Sequence, residues 1–291
     1  MMTDLHTLIK DYGELLKPRI LSLVLITATL GYYLGARGHI DAVQLIFLLA
    51  GVALVCGGSA ALNHYLERDA DSRMDRTRNR PLVRGVITPN SALCFGIILI
   101  LSGVFLLYSL INLLTAFLSL LTAFLYVLVY TPMKRVSWLN TSIGAIPGAL
   151  PPMGGWAAAR GEITVEAWVL FLILYFWQHP HFYSIAWMFK DDYRQAGFKM
   201  LPVVDPSGHS TFRQINGHAI LLLIVSAAPV MLGMAGPWYL AGVLLAGVVM
   251  FGAGLRLTGS RSHSDARQLL RISVYYLPIL LGLIIFDSTI L

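Results

Sequence analysis

The stretch 63–81 reads N-H-Y-L-E-R-D-A-D-S-R-M-D-R-T-R-N-R-P and lies between long apolar segments. Within it, Asn63, Glu67, Asp71 and Asp75 recur at every fourth position. On an α-helix such residues drift by only about 40° per step and therefore share one face. The sequence thus predicts a ladder of oxygen ligands at the end of a hydrophobic helix, followed by a cluster of arginines.

The composition indicates a membrane protein. The chain has 291 residues, of which 57% are hydrophobic and 12% are charged, whereas soluble domains carry about 25% charged residues. The net charge of +6 is best interpreted as an orientation signal facing anionic lipid, so we predict no nucleic-acid partner. The two cysteines, Cys56 and Cys94, lie in apolar sequence and are expected in the core, which argues against a disulfide framework.

Nine segments are long and apolar enough to cross a bilayer, which takes about 20 residues. They are 20–36, 43–62, 93–110, 113–130, 141–158, 165–188, 218–234, 238–257 and 272–290. Residues 1–19 are predicted to form an interfacial helix, and the whole chain 1–291 is predicted to be one domain. The fifth segment has three prolines and four glycines in 143–156, a composition that makes a poor straight helix.

The distribution of basic residues predicts the topology. With nine spanning helices, 19 of the 21 lysines and arginines fall on one side, and only Arg37 and Arg160 fall on the other. Because basic residues accumulate on the cytoplasmic side, we expect a cytoplasmic N-terminus and a C-terminus on the opposite side. Two long polar connections, 63–90 and 190–214, then lie together in the cytoplasm and are predicted to be catalytic loops.

The chemistry of the ladder fits a magnesium–diphosphate site. Mg²⁺ prefers oxygen ligands and keeps several waters. The arginines that follow, such as Arg76 and Arg80, carry a guanidinium fork suited to phosphate oxygens. The alternative is a solvated loop whose arginines only orient the protein, but that alternative does not account for four spaced oxygens at a helix end.

A second polar cluster, W-Q-H-P-H-F-Y, occupies 177–183. Polar groups at membrane depth are costly and usually functional. His181 is a candidate to ligate a metal, bind a porphyrin carboxylate or carry a proton; the alternative is a histidine hydrogen-bonded within the bundle. Pro180 is expected to break the helix. Asp191 and Asp192 either complete the metal site or cap the next short helix.

These motifs resemble those of a known family. N-x-x-x-E-x-x-x-D-x-x-x-D followed by R-T-R-N-R-P is similar to the first aspartate-rich motif of the UbiA-type intramembrane prenyltransferases. Further motifs resemble the protoheme IX farnesyltransferase (haem O synthase) branch of that superfamily. They are K-P-R-I at 17–20, N-R-P-L-V-R-G at 79–85, Y-T-P-M-K-R at 130–135, P-P-M-G-G-W ending at 156, W-Q-H-P-H-F at 177–182 and D-D-Y at 191–193.

The resemblance implies an all-α polytopic membrane protein with nine transmembrane helices around a central cavity, in the bacterial inner membrane. It implies Mg²⁺-dependent transfer of a farnesyl group from farnesyl diphosphate to a vinyl group of haem B, with addition of water, giving haem O. The implied partners are farnesyl diphosphate, haem B, the lipid bilayer and a haem A synthase or terminal oxidase that uses the product.

The resemblance also assigns roles to residues. Magnesium is held by the four ladder residues Asn63, Glu67, Asp71 and Asp75. Catalysis involves these four together with Asp191 and Asp192. Diphosphate is bound by the basic residues Arg76, Arg80, Lys134, Arg135 and Lys190. Haem is bound by His181 and Tyr183.

Two departures and two rival functions accompany this interpretation. Glu67 stands where the superfamily usually has Asp, and the second motif lacks a pair of aspartates four apart, which fits a porphyrin acceptor. One rival is a UbiA-type transferase acting on an aromatic quinone precursor, against which the W-Q-H-P-H-F cluster argues. The other is a secondary transporter, which would place its acids at the membrane midplane.

Overall fold

The computed structural model describes residues 5–288, and every regular element within that range is helical. The helices, in chain order, are α1 (Leu5–Leu15), α2 (Pro18–Ala36), α3 (Ala42–Asp71), α4 (Pro89–Leu110), α5 (Leu113–Phe124), α6 (Thr131–Val136), α7 (Asn140–Arg160), α8 (Val165–Met188), α9 (Lys190–Gln195), α10 (Leu201–Val204), α11 (His209–Val225), α12 (Ala228–Met231), α13 (Pro237–Ser260) and α14 (His263–Ser288). A π-helical segment, Leu125–Tyr130, joins α5 to α6.

Seven helical segments of the described range are long and apolar enough to span a membrane. They are Pro18–Ala36, Ala42–Asp71, Pro89–Leu110, Leu113–Val136, His209–Met231, Pro237–Ser260 and His263–Asp287. Two other long helices, α7 and α8, carry many of the buried residues and form the centre of the bundle. The prediction of a multi-pass all-α membrane protein is therefore confirmed, and the count of nine spanning helices stays a prediction.

The central helices organise the packing. α7 packs against α2, α5 and α8, while α8 also packs against α11 and α14. The largest hydrophobic cluster runs through these helices and includes the fully buried side chains of Met153, Trp156, Tyr183 and Tyr239. Long helices with apolar surfaces on all sides are expected to bury one part against protein and leave the rest to lipid.

Several predicted boundaries are wrong. α3 continues for nine residues beyond the apolar segment 43–62, which agrees with a ladder on the end of that helix, but it stops at Asp71 and does not reach Asp75. α11 begins at His209 instead of 218, so the connection 190–214 contains the helices α9 and α10 and the start of α11. The predicted N-terminal helix, 1–19, corresponds to α1, which covers Leu5–Leu15. Residues 1–4 and 289–291 lie outside the described residues.

The prolines interrupt the helices less than predicted. α8 runs through Pro180 without a break, and α7 runs through Pro147, Pro151 and Pro152. Each proline removes one backbone hydrogen bond, but packing on both sides holds these two helices. The prediction that both cysteines lie in the core is also wrong, since Cys56 is half-buried and Cys94 is exposed. Both are free thiols.

The N-terminal helix is tied to the bundle by charge. Asp11 of α1 is 3% exposed and accepts a hydrogen bond from Arg84 Nη2 at 2.6 Å. Lys17 then adopts the left-handed conformation, with φ of 50°, and turns the chain into α2 at Pro18. This turn directs the Lys17 side chain towards Asn63, in the C-terminal part of α3.

The close contact between α2 and α7 depends on glycine. Gly31 of α2 lies against the backbone of Pro152, and Gly155 of α7 lies against the backbone of Ala28. A Cβ on Gly155 would overlap the Ala28 carbonyl oxygen and stand 2.8 Å from Tyr32 N. Small residues let membrane helices approach at the backbone, so this pair sets the distance between α2 and α7.

We expect Gly155→Ala to destabilise the protein by about 1–3 kcal/mol, because the added methyl group forces α2 and α7 apart. The measurement is thermal or denaturant unfolding in detergent. Gly154→Ala is the matched control, since a Cβ there meets nothing within 4 Å, and alanine favours a helix over glycine by about 1 kcal/mol. Equal stability of the two variants would contradict the close contact.

Candidate prenyl-diphosphate site

Three of the four ladder residues share one buried face at the end of α3. Asn63 is 0% exposed, Glu67 is 5% exposed and Asp71 is 1% exposed. The helix ends at Asp71, so the predicted continuous face does not reach Asp75. Asp75 lies in the following turn, is 79% exposed at its side chain and pairs with Arg78 at 3.2 Å. We call Asn63, Glu67 and Asp71 the α3 triad.

Each carboxylate of the triad is paired with a cation. Lys134 Nζ donates to Glu67 Oε1 at 2.7 Å, and the side chains are 13% and 6% exposed. Arg80 Nη1 donates to Asp71 Oδ2 at 2.5 Å. Lys134 comes from α6 and Arg80 from the connection after α3. The structure therefore brings two of the predicted diphosphate-binding residues directly to the triad.

Lys17 is a member of this site to which the sequence analysis assigned no role. Its Nζ donates to Asn63 Oδ1 at 2.5 Å and to Tyr126 Oη at 3.4 Å. The Asn63 amide nitrogen donates in turn to Thr131 Oγ1 at 3.0 Å, which fixes the amide with its oxygen towards Lys17. The only signal in the sequence was the K-P-R-I motif, which carries no spacing relation to the ladder.

The electrostatics of the cluster favour an anion. Three cationic side chains, Lys17, Arg80 and Lys134, meet two carboxylates. Removal from water, followed by the positive charge of Arg80, lowers the pKa of Lys17 to about 7. A cation with a depressed pKa regains its proton when a negative group arrives beside it. An incoming diphosphate would therefore keep Lys17 protonated and would then meet three cationic groups beside the two carboxylates.

The π-helical segment places the second wall of the site. It brings Tyr126 to within hydrogen-bonding distance of Lys17, and the Tyr126 carbonyl accepts from Thr131 Oγ1 at 2.8 Å. The Lys134 ammonium lies 4.6 Å from the centre of the Tyr130 ring. π-Helical turns occur frequently at functional sites, and this one orients an aromatic wall towards the triad.

The triad fits a magnesium ion in its ligand chemistry. Asp71 Oδ1 is buried and has no hydrogen-bond partner among the described residues, so one carboxylate oxygen is available. The part of the chain that the structure describes contains no group of three or more His, Cys, Asp or Glu that could hold a metal alone. Mg²⁺ typically uses one or two carboxylates together with substrate phosphates and water, which the triad can supply.

The second predicted loop approaches the first through Arg76. Its guanidinium lies 5.6 Å from the centre of the Phe189 ring, and its Nη2 is 3.4 Å from Tyr193 Oη. Asp191, at the start of α9, is 69% exposed at its side chain and pairs with Arg194 at 2.5 Å. The two loops therefore meet, although Asp191 is directed to Arg194 and not to the triad.

The other predicted site residues, Asp192 and Lys190 of α9 and Arg135 of α6, make no ion pair with the triad among the described residues. Asp192 is half-buried on α9, and Lys190 Nζ stands 4.3 Å from the centre of the Trp187 ring. Arg135 faces away from its neighbour Lys134, into a cavity of about 260 Å³. The residues that line this cavity are Asp69, Ala70, Arg73, Arg135, Ala196 and Gly197. Within the described residues, Arg135 forms no hydrogen bond or ion pair with the triad.

The two predicted haem ligands point to different sides of α8. His181 faces α14, where its Nδ1 is 2.9 Å from Ser273 Oγ. Tyr183 is fully buried and lies beside His179, with ring centres 6.0 Å apart. Residues two apart on a helix differ by about 200°, so both side chains cannot line one pocket.

A histidine pair that the sequence analysis did not identify lies on the Tyr183 side. His179 stacks on His218 of α11, with ring centres 3.7 Å apart. Both nitrogens of His179 have protein partners, Tyr175 O at 2.8 Å and Ser142 Oγ at 3.2 Å. His179 therefore behaves as a hydrogen-bonded histidine within the bundle, the alternative that the sequence left open for His181.

Comparisons with known proteins identify the family of this chain. Residues 24–276 match the model of the UbiA prenyltransferase family. A protein of Solibacter usitatus named protoheme IX farnesyltransferase is 46% identical, over 96% of this chain and 98% of its own. One of the same name from Salinibacter ruber is 43% identical, over 95% and 98%.

Solved structures share the fold. A digeranylgeranylglyceryl phosphate synthase superposes with a TM-score of 0.82 at 20% identity, over 97% of this chain and 99% of its own. A UbiA homolog from Archaeoglobus fulgidus bound to GPP and Mg²⁺ gives a TM-score of 0.68 at 17% identity, over 94% and 99%.

We expect Lys134→Met to destabilise the protein by about 3 kcal/mol, because it leaves the Glu67 carboxylate buried without its partner. Unfolding in detergent measures the effect. Arg135→Met is the matched control, since its side chain lies outside the triad and surface substitutions stay within about 0.5 kcal/mol. The double variant Glu67→Gln/Lys134→Met should recover most of the lost stability. No recovery would show that Lys134 does not act through Glu67.

Proposed function

The chain belongs to the UbiA prenyltransferase family, and we propose that it is a farnesyltransferase for haem B. It transfers the farnesyl group of farnesyl diphosphate to a vinyl carbon of haem B, water adds to the neighbouring carbon, and the products are haem O and diphosphate. The names of its relatives support both the acceptor and the transferred group. The observation that supports a prenyl diphosphate as the donor substrate is the α3 triad, which contacts the three basic side chains of Lys17, Arg80 and Lys134.

The cations of the site bind and orient the diphosphate. Lys17, Arg80 and Lys134 already meet at the triad, so an entering diphosphate exchanges partners within a preformed cluster. This exchange costs little reorganisation, since the charged groups are held in place before substrate arrives. Arg76, which bridges the two loops through Phe189 and Tyr193, is placed to close over the phosphates.

The magnesium ion of the proposed site would be held by the Asn63 amide oxygen and by the carboxylates of Glu67 and Asp71. When bound, Mg²⁺ neutralises charge on the diphosphate and makes it a better leaving group. Asp75 stands outside this set unless the turn after α3 rearranges. We propose that Asp191 and Asp192 act at the rim, where α9 meets the first loop.

The bundle protects the allylic cation that forms as diphosphate leaves. Tyr126 and Tyr130 face the site from the π-helical segment, and aromatic faces attract positive charge. The surrounding apolar helices exclude water, so that the vinyl group of the acceptor captures the cation before water does. Water then captures the porphyrin-stabilised cation, and one proton is lost to give the hydroxyethylfarnesyl side chain.

We propose a complete topology with nine spanning helices around a central cavity, adding α7 and α8 to the seven. The N-terminus is cytoplasmic, the C-terminus lies on the opposite side, and the membrane is the bacterial inner membrane. In this topology the triad lies at the cytoplasmic end of α3, on the side from which farnesyl diphosphate would enter. A haem A synthase or terminal oxidase takes the product from the bilayer.

The test of the donor site compares two neighbouring aspartates. We expect Asp71→Asn to lower the rate of haem O formation by about 10²-fold or more, since it removes an ionic ligand that stabilises the developing charge. Purified protein is incubated with haem B, farnesyl diphosphate and Mg²⁺, and the haem products are separated by mass. Asp69→Asn is the control, because that side chain is 68% exposed and forms its ion pair with Arg68, at 3.7 Å, and not with a cation of the triad.

Chelation of divalent cations should abolish turnover of the wild type, and added Mg²⁺ should restore it. Equal turnover by Asp71→Asn and the wild type would remove the triad from the mechanism. Formation of a prenylated phenol in place of haem O would overturn the acceptor. Both variants should retain the helical circular dichroism of the wild type.

A further inference from the structure

Ser273 of α14 makes two contacts with α8 through different atoms. Its backbone carbonyl accepts a hydrogen bond from Trp177 Nε1 at 2.7 Å. Its hydroxyl oxygen lies 2.9 Å from His181 Nδ1. Trp177 and His181 are four residues apart on α8 and stack, with ring centres 4.9 Å apart and planes inclined by 23°. One buried residue therefore holds both members of a stacked aromatic pair.

The direction of the Ser273–His181 hydrogen bond follows from the hydroxyl proton. A serine hydroxyl has one proton to donate. That proton is directed to the Leu270 carbonyl, 2.7 Å from Ser273 Oγ, which is an ordinary length for an O–H···O bond. With the hydroxyl proton donated to Leu270 O, the Ser273 oxygen accepts from His181, and this network assigns the imidazole proton to Nδ1.

An imidazole with its proton on Nδ1 presents a lone pair at Nε2. This is the form in which histidine ligates a metal, and the nitrogen that is not a ligand usually donates to a protein oxygen that fixes the ring. Ser273 supplies that oxygen, while Trp177 restricts rotation of the ring from one face. His181 is only partly buried, in contrast to His179, whose two nitrogens are both used within the protein.

We propose that Ser273 is a positioning residue that holds His181 in the orientation and tautomer required to ligate the iron of the acceptor haem through Nε2. This inference rests on the proposed function, since it takes haem B as the acceptor. It goes beyond that function by placing the haem iron against the α8–α14 contact and by assigning a role to a residue outside every motif that identifies the family.

The geometry divides the two predicted haem residues. Tyr183 lies on the opposite side of α8, where it is buried beside the His179–His218 pair and packs within the bundle. The iron is held on the side that faces α14, where Phe182 is 37% exposed and contacts the His181 ring edge-on at 5.3 Å. An exposed aromatic ring beside the ligand offers a surface for one edge of the porphyrin.

The test is a titration of ferric haem B into the purified full-length protein, followed by its Soret band and its spin-state bands. We expect Ser273→Ala to weaken haem binding by about 10-fold or more, since loss of such a supporting hydrogen bond typically costs 10–100-fold in metal affinity. It should also shift the Soret band. Because the bond from Trp177 goes to the backbone of residue 273, the helix contact survives this substitution.

Three further variants make the result specific. Ser273→Thr retains the hydroxyl and should restore the wild-type spectrum. Ser226→Ala is the matched control, because Ser226 is equally buried and its hydroxyl contacts Tyr276 of α14 at 2.9 Å, away from His181; its haem spectrum should equal that of the wild type. In a His181→Ala background, Ser273→Ala should have no additional effect on haem binding.

The outcomes separate this inference from the function on which it rests. If Ser273→Ala binds haem with the wild-type spectrum and affinity while the wild type still makes haem O, the role of Ser273 is refuted and the function stands. If His181→Ala leaves the haem spectrum unchanged, the ligand assignment is refuted. If the wild type neither binds haem B nor modifies it, both the inference and the function fail.

Discussion

The structure depends on a constraint of electrostatics: charges buried at the end of a membrane helix must be neutralised within the protein. Glu67 and Asp71 meet this constraint with Lys134 and Arg80, which come from two separate parts of the chain. The ion pairs thereby hold the connection after α3 and the helix α6 against the end of α3. The proposed affinity for a diphosphate follows from the same constraint, since Lys17 is a third basic group beside two carboxylates and can take up a proton when the anion arrives.

The helices that carry the site are held by a different kind of contact. Backbone-to-backbone approach at Gly31 and Gly155 fixes α2 against α7, and the α2 N-terminus in turn fixes Lys17. Hydrophobicity drives such helices into the bilayer but does little to choose among neighbours once they are there. Close packing therefore sets the relative positions of helices, and the buried ion pairs then select one register at the site.

The sequence was sufficient to predict the all-helical class, the family and the buried face of the α3 triad, because four-residue spacing and apolar runs are local patterns. It misplaced Asp75, since the end of α3 depends on how the following turn packs and not on periodicity. It missed Lys17 and Ser273 for a related reason. Lys17 contacts Asn63, 46 positions further along the chain, and Ser273 contacts His181, 92 positions before it. No pattern of local spacing predicts contacts between residues so far apart in sequence.

The ion pair between Asp11 and Arg84 has a consequence for how the protein is made. α1 leaves the ribosome before α2 and α3, yet its buried aspartate meets its partner only after the 72 intervening residues and Arg84 have been synthesised. Both α2 and α3 are synthesised in that interval. The N-terminal helix can therefore dock through this ion pair only after the helical hairpin of α2 and α3 has been made.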